Sequence, residues 1–125
     1  MTEETLSPLV LQTLRAMRAR LDNPERWCQG AAAVNMQGRA RSPSEPSACA
    51  WCLTGAAEVE TMIAWRTMEP KDRFFDPFRT DLFTVLSRAL KRFTAGSYAY
   101  LSNFNDRSSH AEVLAFLDFT IAHLE

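Results

Sequence analysis

Two cysteines in the middle of the chain have the spacing of a redox dithiol. Cys49 and Cys52 are separated by two residues, and a thiol in the first turn of a helix is the better nucleophile because the helix dipole stabilises its thiolate. A helix beginning near Pro46 or Ser47 would place Cys49 in that turn. The βαβ pattern that accompanies this spacing in redox proteins is absent. The alternative, which we favour, is that Cys52 is a small core residue and Cys49 its neighbour.

A cysteine hydrolase needs a base beside the thiol and a group that orients the base. His110 is the candidate base, and Asp106 or Asn105 is the candidate orienting group for Cys49 or Cys52. His110 is predicted in the first turn of a helix, however, where the dipole disfavours a protonated imidazole. A thiol-dependent enzyme or redox protein is therefore the second hypothesis, and no residue is firmly assigned as catalytic.

The same thiols are candidates for a metal site, which needs four ligands in a closed structural geometry. Cys28, Cys49, Cys52 and His110 offer three sulfurs and one nitrogen, but the second Cys-x-x-Cys pair that defines most zinc sites is missing. Phosphate-binding loops, dinucleotide fingerprints and His-Glu-x-x-His helices are also missing from the sequence. We therefore predict neither a metal nor a cofactor.

Two short segments combine aromatic and small polar side chains as contact surfaces do. In the first segment, Trp27 is an aromatic anchor with Gln29 and Gly30 as neighbours. In the second, Asn105 and Asp106 lie just before a predicted helix start. The structural alternative is that the indole covers the core and that the Asn and Asp side chains cap turns. The leading hypothesis is a non-enzymatic binding or protein-interaction module that acts through these five residues.

The third quarter of the chain is mildly basic and contains an aromatic pair, Phe74 and Phe75. The pair either faces a partner or packs beneath the next helix. The cations of this quarter are interleaved with acids, which favours a solvated face over a nucleic-acid stripe. They are Arg66, Lys71, Arg73, Arg79, Arg88, Lys91 and Arg92.

Composition limits the classes of protein and of partner. The 125 residues suffice for one domain (residues 1–125), and the formal charge of -1 excludes the strongly basic surface of most nucleic-acid binders. The first residues lack the basic and apolar regions of a signal peptide, and the apolar runs fall short of the roughly 20 residues that cross a bilayer. We expect a cytoplasmic protein that binds a protein or small ligand, without nucleic-acid or membrane partners.

Four amphipathic helices and one hairpin are predicted to position these residues. The first helix has Ser7 as N-cap and Pro8 at its first position, and ends at Asp22. Its apolar stripe is Val10, Leu14, Met17 and Leu21. The segment from Asn35 to Gly38 predicts a hairpin turn with the glycine at positive φ.

The second helix is predicted from Pro46 or Ser47 to about Trp65, with Gly55 on its buried face to let another helix approach closely. Glu58 and Glu60 lie off that face. The other members of the face are Ala48, Cys52, Ala56, Val59 and Ile63.

The remaining chain predicts two further helices. A loop covers most of residues 66–76, Asp76 and Pro77 begin the third helix, and Gly96 takes the C′ position after it. Residues 98–106 are compatible with a strand, a helical turn or a loop. Ser109 and Glu112 form a capping box for the last helix. The predicted fold is mainly α: a single-domain, four-helix bundle-like fold with a small β-hairpin between helices 1 and 2.

Four motifs, taken in order and spacing, resemble an uncharacterised bacterial and phage domain-of-unknown-function family (DUF6197). They are Trp27-x-Gln-Gly-Ala31, Ala50-Trp-Cys-Leu-x-Gly-Ala56, Asn105-Asp106 and Ser109-His-Ala-Glu-Val-Leu114. The chain departs from the family pattern at three places. Thr54 lies within the Cys-x-x-Gly-Ala segment, the middle insert around Phe74 is longer, and Phe104 replaces a tryptophan. The resemblance implies no activity, but it does imply a set of residues to inspect: Trp27, Gly30, Cys52, Gly55, Asn105, Asp106 and Glu112.

Overall fold

A computed structural model describes residues 2–66 and 71–124, with the side chains of residues 8–66 and 77–124. In these ranges the chain forms five α-helices and a small three-stranded antiparallel sheet, so the predicted mainly helical fold with a hairpin is confirmed. The helices are α1 (Thr2–Leu21), α2 (Leu53–Arg66), α3 (Lys71–Phe93), α4 (Leu101–Arg107) and α5 (His110–Leu124). The strands are β1 (Ala33–Val34), β2 (Ala40–Arg41) and β3 (Ala50–Trp51), in the order β2-β1-β3.

Helix α1 is the central helix and packs against α2, α3 and α5. Its predicted stripe is confirmed, since Val10, Leu14, Met17 and Leu21 are all buried. The predicted start is wrong: the helix begins at Thr2, and Pro8 lies inside it rather than at its first position. Residues 2–6 contain neither glycine nor proline, so nothing in their types stops the helix at Ser7.

The hairpin turn is confirmed and a third strand is added to it. Two backbone N–H groups, of Gln37 and Arg39, donate to Asn35 Oδ1 at 3.0 Å, and Gly38 has φ +78°. Strand β3 occupies residues in which the sequence predicts the start of the second helix. That prediction is wrong because the free edge of β1 pairs with this segment, Ala33 opposite Trp51.

Helix α2 therefore begins only at Leu53, and its close approach differs from the predicted one. A Cβ atom on Gly55 would lie 1.9 Å from the carbonyl oxygen of Ala32, so the glycine admits the backbone that precedes β1 rather than another helix. Glu60, predicted off the buried face, is buried and forms an ion pair with Arg20. Ile63, predicted on that face, is 42% exposed.

Helix α3 begins at Lys71, so Asp76 is not its N-cap and Pro77 lies inside the helix. Residues 67–70 of the predicted loop and the side chains of Phe74 and Phe75 are outside the described residues. At the other end, Ala95 (φ +51°) rather than Gly96 takes the C′ position. The N–H of Ala95 donates to the Arg92 carbonyl at 3.4 Å and that of Gly96 to the Lys91 carbonyl at 2.8 Å, which is a Schellman motif.

Residues 98–106, which are compatible with a strand, a helical turn or a loop, contribute most of α4, a helix of 7 residues. The capping box of α5 is confirmed: the Glu112 N–H donates to Ser109 Oγ at 3.1 Å, and the Ser109 N–H donates to Glu112 Oε1 at 2.8 Å. Phe104 joins α4 to the core, with its ring 5.4 Å from that of Phe116. Within the described residues, none of the helices has the length and apolarity to span a bilayer.

Candidate functional site

Asn105 lies at the centre of a closed polar network, fully buried on α4. Its Oδ1 accepts hydrogen bonds from Trp27 Nε1 at 2.7 Å and from the backbone N–H of Leu53 at 3.1 Å. Its Nδ2 donates to the carbonyl oxygen of Cys28 at 3.0 Å and to Asp106 Oδ1 at 3.1 Å. One side chain thus joins the Trp27 segment, the first residue of α2 and the end of α4.

Gln29 and Gly30 attach the same segment to the end of α4. Gln29 Nε2 lies 3.0–3.1 Å from the carbonyl oxygens of Asn105, Asp106 and Ser108, to which it donates. These are carbonyls that a helix C-terminus leaves without partners of its own. The N–H of Gly30 (φ +82°) donates to Asp106 Oδ1 at 2.9 Å. We call Trp27, Gln29, Gly30, Asn105 and Asp106 the Asn105 network.

The structure therefore brings the two candidate segments, far apart in sequence, into direct contact. Gln29, Gly30 and Asp106 are exposed, Trp27 is half-buried and Asn105 is buried. Among the residues whose side chains are described, every buried side-chain nitrogen or oxygen has a hydrogen-bond partner. The network is thus a satisfied frame with an exposed edge formed by Gln29, Gly30 and Asp106.

His110 is engaged by the end of α1. Its Nε2 lies 2.6 Å from the carbonyl oxygen of Leu21, which can only accept, so Nε2 carries the proton. The ring packs against Trp27, with centroids 5.6 Å apart. Nε2 is therefore the donor of a hydrogen bond that joins α5 to the end of α1, and it is not available as the base of a thiol enzyme.

The thiols beside the network are held in the protonated form. Burial, followed by the charges of Cys52, Asp106 and Cys49, raises the pKa of Cys28 to about 11. Burial also raises the pKa of Cys52, although backbone N–H groups of Gly55 and Thr54 act against it. The Gly55 N–H lies 3.3 Å from Cys52 Sγ, so this thiol takes the place of a side-chain cap at the start of α2.

Cys49 lies just before β3, where its N–H donates to the Val34 carbonyl at 2.9 Å. The prediction that it occupies the first turn of a helix is wrong, because the sheet takes this segment. It therefore lacks the helix dipole that the thiol hypothesis required. In the described parts of the chain, no three His, Cys, Asp or Glu side chains are grouped so that they could hold a metal ion.

Sequence reasoning missed a second surface, a groove between the C-terminal halves of α3 and α5. Val85, Ala89, Phe119 and Leu124 are among the residues that line it, with arginines at its edge. The signal was present in the sequence as the i, i+4 spacing of Arg88 and Arg92. Because acids are interleaved with these cations, the sequence favours a solvated face there, and only the packing of α3 against α5 places Arg88 and Arg92 beside an apolar groove.

A model for a family of unknown function (DUF6197) matches residues 6–123, almost the whole chain. This match confirms the resemblance that the sequence motifs indicated. No curated protein and no solved structure matches the chain.

Proposed function

We propose that this chain, which belongs to the DUF6197 family, is a non-enzymatic binding module that contacts a protein partner through the exposed edge of the Asn105 network. The observation that carries the proposal is that Asn105 is fully buried, and that both the oxygen and the nitrogen of its side-chain amide form hydrogen bonds within the chain. A frame held in this way fixes Gln29, Gly30 and Asp106 before any partner arrives. A preformed surface loses less conformational entropy on binding than a mobile one.

The chemistry of the site favours contact over reaction. The pKa of Cys28 and that of Cys52 are raised, which disfavours the thiolate that a nucleophile must form. His110 donates Nε2–H to a backbone carbonyl. The alternative function, a thiol-dependent enzyme or redox protein using Cys49 or Cys52 with His110, is therefore less well supported than a binding role.

The five residues divide into two roles in this proposal. Trp27 and Asn105 are positioning residues, because the hydrogen bond between them lies beneath the surface. Asp106 supplies the charge of the edge, and its Oδ1 is already shared by Gly30 and Asn105. A carboxylate at a rigid edge favours a partner that presents a lysine or arginine.

Asp106→Asn tests the contact role, because an asparagine Oδ1 still accepts both internal bonds while the charge is lost. We further propose a bacterial cytosol, with or without phage infection, as the place to find the partner, because the sequence motifs predict a bacterial or phage protein. We expect wild-type protein to capture a partner from such a lysate, and the variant to bind the purified partner at least tenfold more weakly at an unchanged melting temperature.

Asp118→Asn is the matched control. Asp118 is exposed on α5, accepts a hydrogen bond from Arg18 and loses the same charge in the variant. Equal binding by wild type and Asp106→Asn, or equal losses in the two variants, would remove the exposed edge from the contact.

A further inference from the structure

The groove between α3 and α5 combines an apolar floor with cations that have no ion pair in the described residues. Two residues of α3, Val85 and Ala89, lie one turn apart along the floor, and Phe119 and Leu124 of α5 complete it. Ala89 is buried, whereas the other three are half-buried. The groove thus leaves a strip of apolar surface open at the side of the core.

The rim of the groove is positive. Arg88 and Arg92 are exposed and one helical turn apart, and His123 lies on the opposite wall with its ring 4.1 Å from that of Phe119. Within residues 8–66 and 77–124, neither arginine has an ion pair. The described side chains of α3 include one acid, Asp81, two turns before Arg88.

Two arginines of α1 show the alternative, in which the charge is paired inside the chain. Arg18 pairs with Asp22 and Asp118, and Arg20 pairs with Glu60. Arg88 and Arg92 have no such acid in the described residues, and they differ from other exposed arginines, such as Arg26 and Arg39, because they flank an apolar groove. Arg92 also lies in the last turn of α3, where the helix dipole stabilises a positive charge. Arg88 lies one turn earlier, so the dipole stabilises its charge less.

We propose that this groove binds an acidic peptide segment of a partner protein, with one apolar side chain on Val85, Phe119 and Leu124 and flanking Asp or Glu side chains on Arg88 and Arg92. The size of the groove supports a peptide anchor. Its volume is about 230 Å³, below the roughly 300–1,000 Å³ of pockets that enclose small-molecule ligands and above the roughly 150 Å³ that admits a benzene ring.

The composition of the groove also decides against a nucleic acid. Its floor is apolar, and the half-buried aromatic ring there, Phe119, is already packed against Phe93 and His123. Nucleic-acid affinity rests on many neutralised phosphates or free stacking faces, neither of which two arginines provide. This contact surface lies outside the Asn105 network, so it extends the proposed function and does not depend on Asp106.

Fluorescence anisotropy with a labelled hexapeptide, Glu-Asp-Leu-Phe-Glu-Asp, tests the proposal. We expect the full chain to bind it with a Kd on the order of 10–100 µM at low salt, an affinity typical of small and transient contacts. Replacing Leu and Phe of the peptide by Ser, or its acids by Lys, should weaken binding at least tenfold. Binding of all three peptides alike would overturn the proposal.

The protein variants locate the contact. Arg88→Glu with Arg92→Glu should weaken binding at least tenfold, and Leu124→Ser at least threefold. Each is measured at a temperature at which the variant is folded, because Arg92 lies in the last turn of α3 and Leu124 packs against the core. Arg26→Glu with Arg39→Glu, two exposed positions outside the groove, makes the same change in net charge and should leave binding within twofold. Asp106→Asn should also leave it unchanged, which separates this contact from the exposed edge.

Three results would contradict the groove as a peptide site. The first is equal binding by the Arg88/Arg92 variant and the Arg26/Arg39 variant. The second is no detectable binding of the acidic hexapeptide to wild-type protein up to 1 mM, on the order of the weakest specific contacts. The third is Arg88-dependent binding of phosphatidylserine vesicles or of single-stranded RNA by a chain that does not bind the peptide.

Discussion

The Asn105 network and the α3–α5 groove satisfy their polar groups in opposite ways. In the network, a buried amide and an exposed carboxylate bond to groups of the same chain, from Trp27 to Leu53. In the groove, Arg88 and Arg92 are exposed beside an apolar floor, without an acid bonded to either in the described residues. A substitution that removes a hydrogen bond of the network should therefore alter stability, whereas one that removes the charge of Arg88 or Arg92 should alter binding with little change in stability.

The difference also shows that residue types alone do not distinguish a structural hydrogen-bond network from a surface that is open to a partner. Trp27, Gln29 and Asn105 have the composition of an interface, yet their hydrogen bonds join segments of one chain. Arg88 and Arg92 have the composition of an ordinary solvated helix face, yet they flank the apolar groove. What distinguishes the two regions is whether the partners of the polar groups are already inside the fold.

Gly55→Ala should have the largest effect, because the packing beside the network leaves no room for a methyl group. The new Cβ would lie 1.9 Å from the Ala32 carbonyl oxygen, and we expect a loss of about 3–5 kcal/mol in the free energy of unfolding. Gly30→Ala is the control, since a Cβ there meets nothing within 4 Å and only the positive φ opposes it. That change should cost about 1–2 kcal/mol; equal losses would show that close approach is unimportant at Gly55.

Cys28 should react slowly with a thiol reagent. With its pKa at about 11 against an ordinary 9.0, its thiolate fraction near pH 7.5 is roughly a hundredfold lower, partly offset by the greater nucleophilicity of a thiolate with a higher pKa. We expect labelling about tenfold slower than that of a cysteine peptide. Labelling as fast as the peptide would contradict the raised pKa of Cys28.

The same shift has a consequence for stability in alkali. The fold favours the neutral Cys28 thiol, so its contribution is complete below about pH 9 and is lost as the pH rises through about 11. The unfolding free energy of wild type should accordingly fall more between these values than that of Cys28→Ala. Parallel pH profiles would show that burial does not favour the neutral thiol.

Ala95→Gly should stabilise the chain by about 1 kcal/mol. Ala95 occupies the left-handed C′ position of α3 at φ +51°, where a Cβ is disfavoured and glycine is not. Thermal unfolding measures the effect, and Ala99→Gly, at an exposed position without positive φ, is the control. A lower melting temperature for Ala95→Gly than for wild type would show that the cap does not limit stability.

Changes in the groove should have the smallest effect on stability. Arg88→Ala and Arg92→Ala each remove an exposed cation without an ion pair in the described residues, and we expect each to shift the unfolding free energy by less than about 0.5 kcal/mol. Urea unfolding measures this. A loss above 1 kcal/mol would place these arginines in the structural frame.

Local patterns predicted those parts of the fold that depend on neighbouring residues. The stripe of α1 from Val10 to Leu21 and the Ser109 capping box follow from spacing alone, and both are present. The start of α2 could not be predicted in this way, because residues 50–51 pair with β1, in which Ala33 lies opposite Trp51 and Val34 opposite Ala50. The decision between helix and strand was made by tertiary pairing.

The sequence predicts which residues belong to the candidate site, but it does not predict what each of them does there. Trp27 and Asn105 were selected by type, and their hydrogen bond joins residues 78 positions apart. No local pattern carries such a contact. Similarly, Glu60 was placed off the buried face because its type is charged, and only the position of Arg20 on α1 explains its burial.

Urea unfolding of Asn105→Ala measures how strongly the Asn105 network holds the fold together, with the exposed Asn103→Ala on the same helix as control. Removing the Asn105 amide leaves Trp27 Nε1–H, the Leu53 N–H and the Cys28 carbonyl without their partner. We expect the free energy of unfolding to fall by about 3 kcal/mol for Asn105→Ala and by less than about 0.5 kcal/mol for Asn103→Ala. If the two variants unfold at the same urea concentration, the network is not the frame of the binding surface.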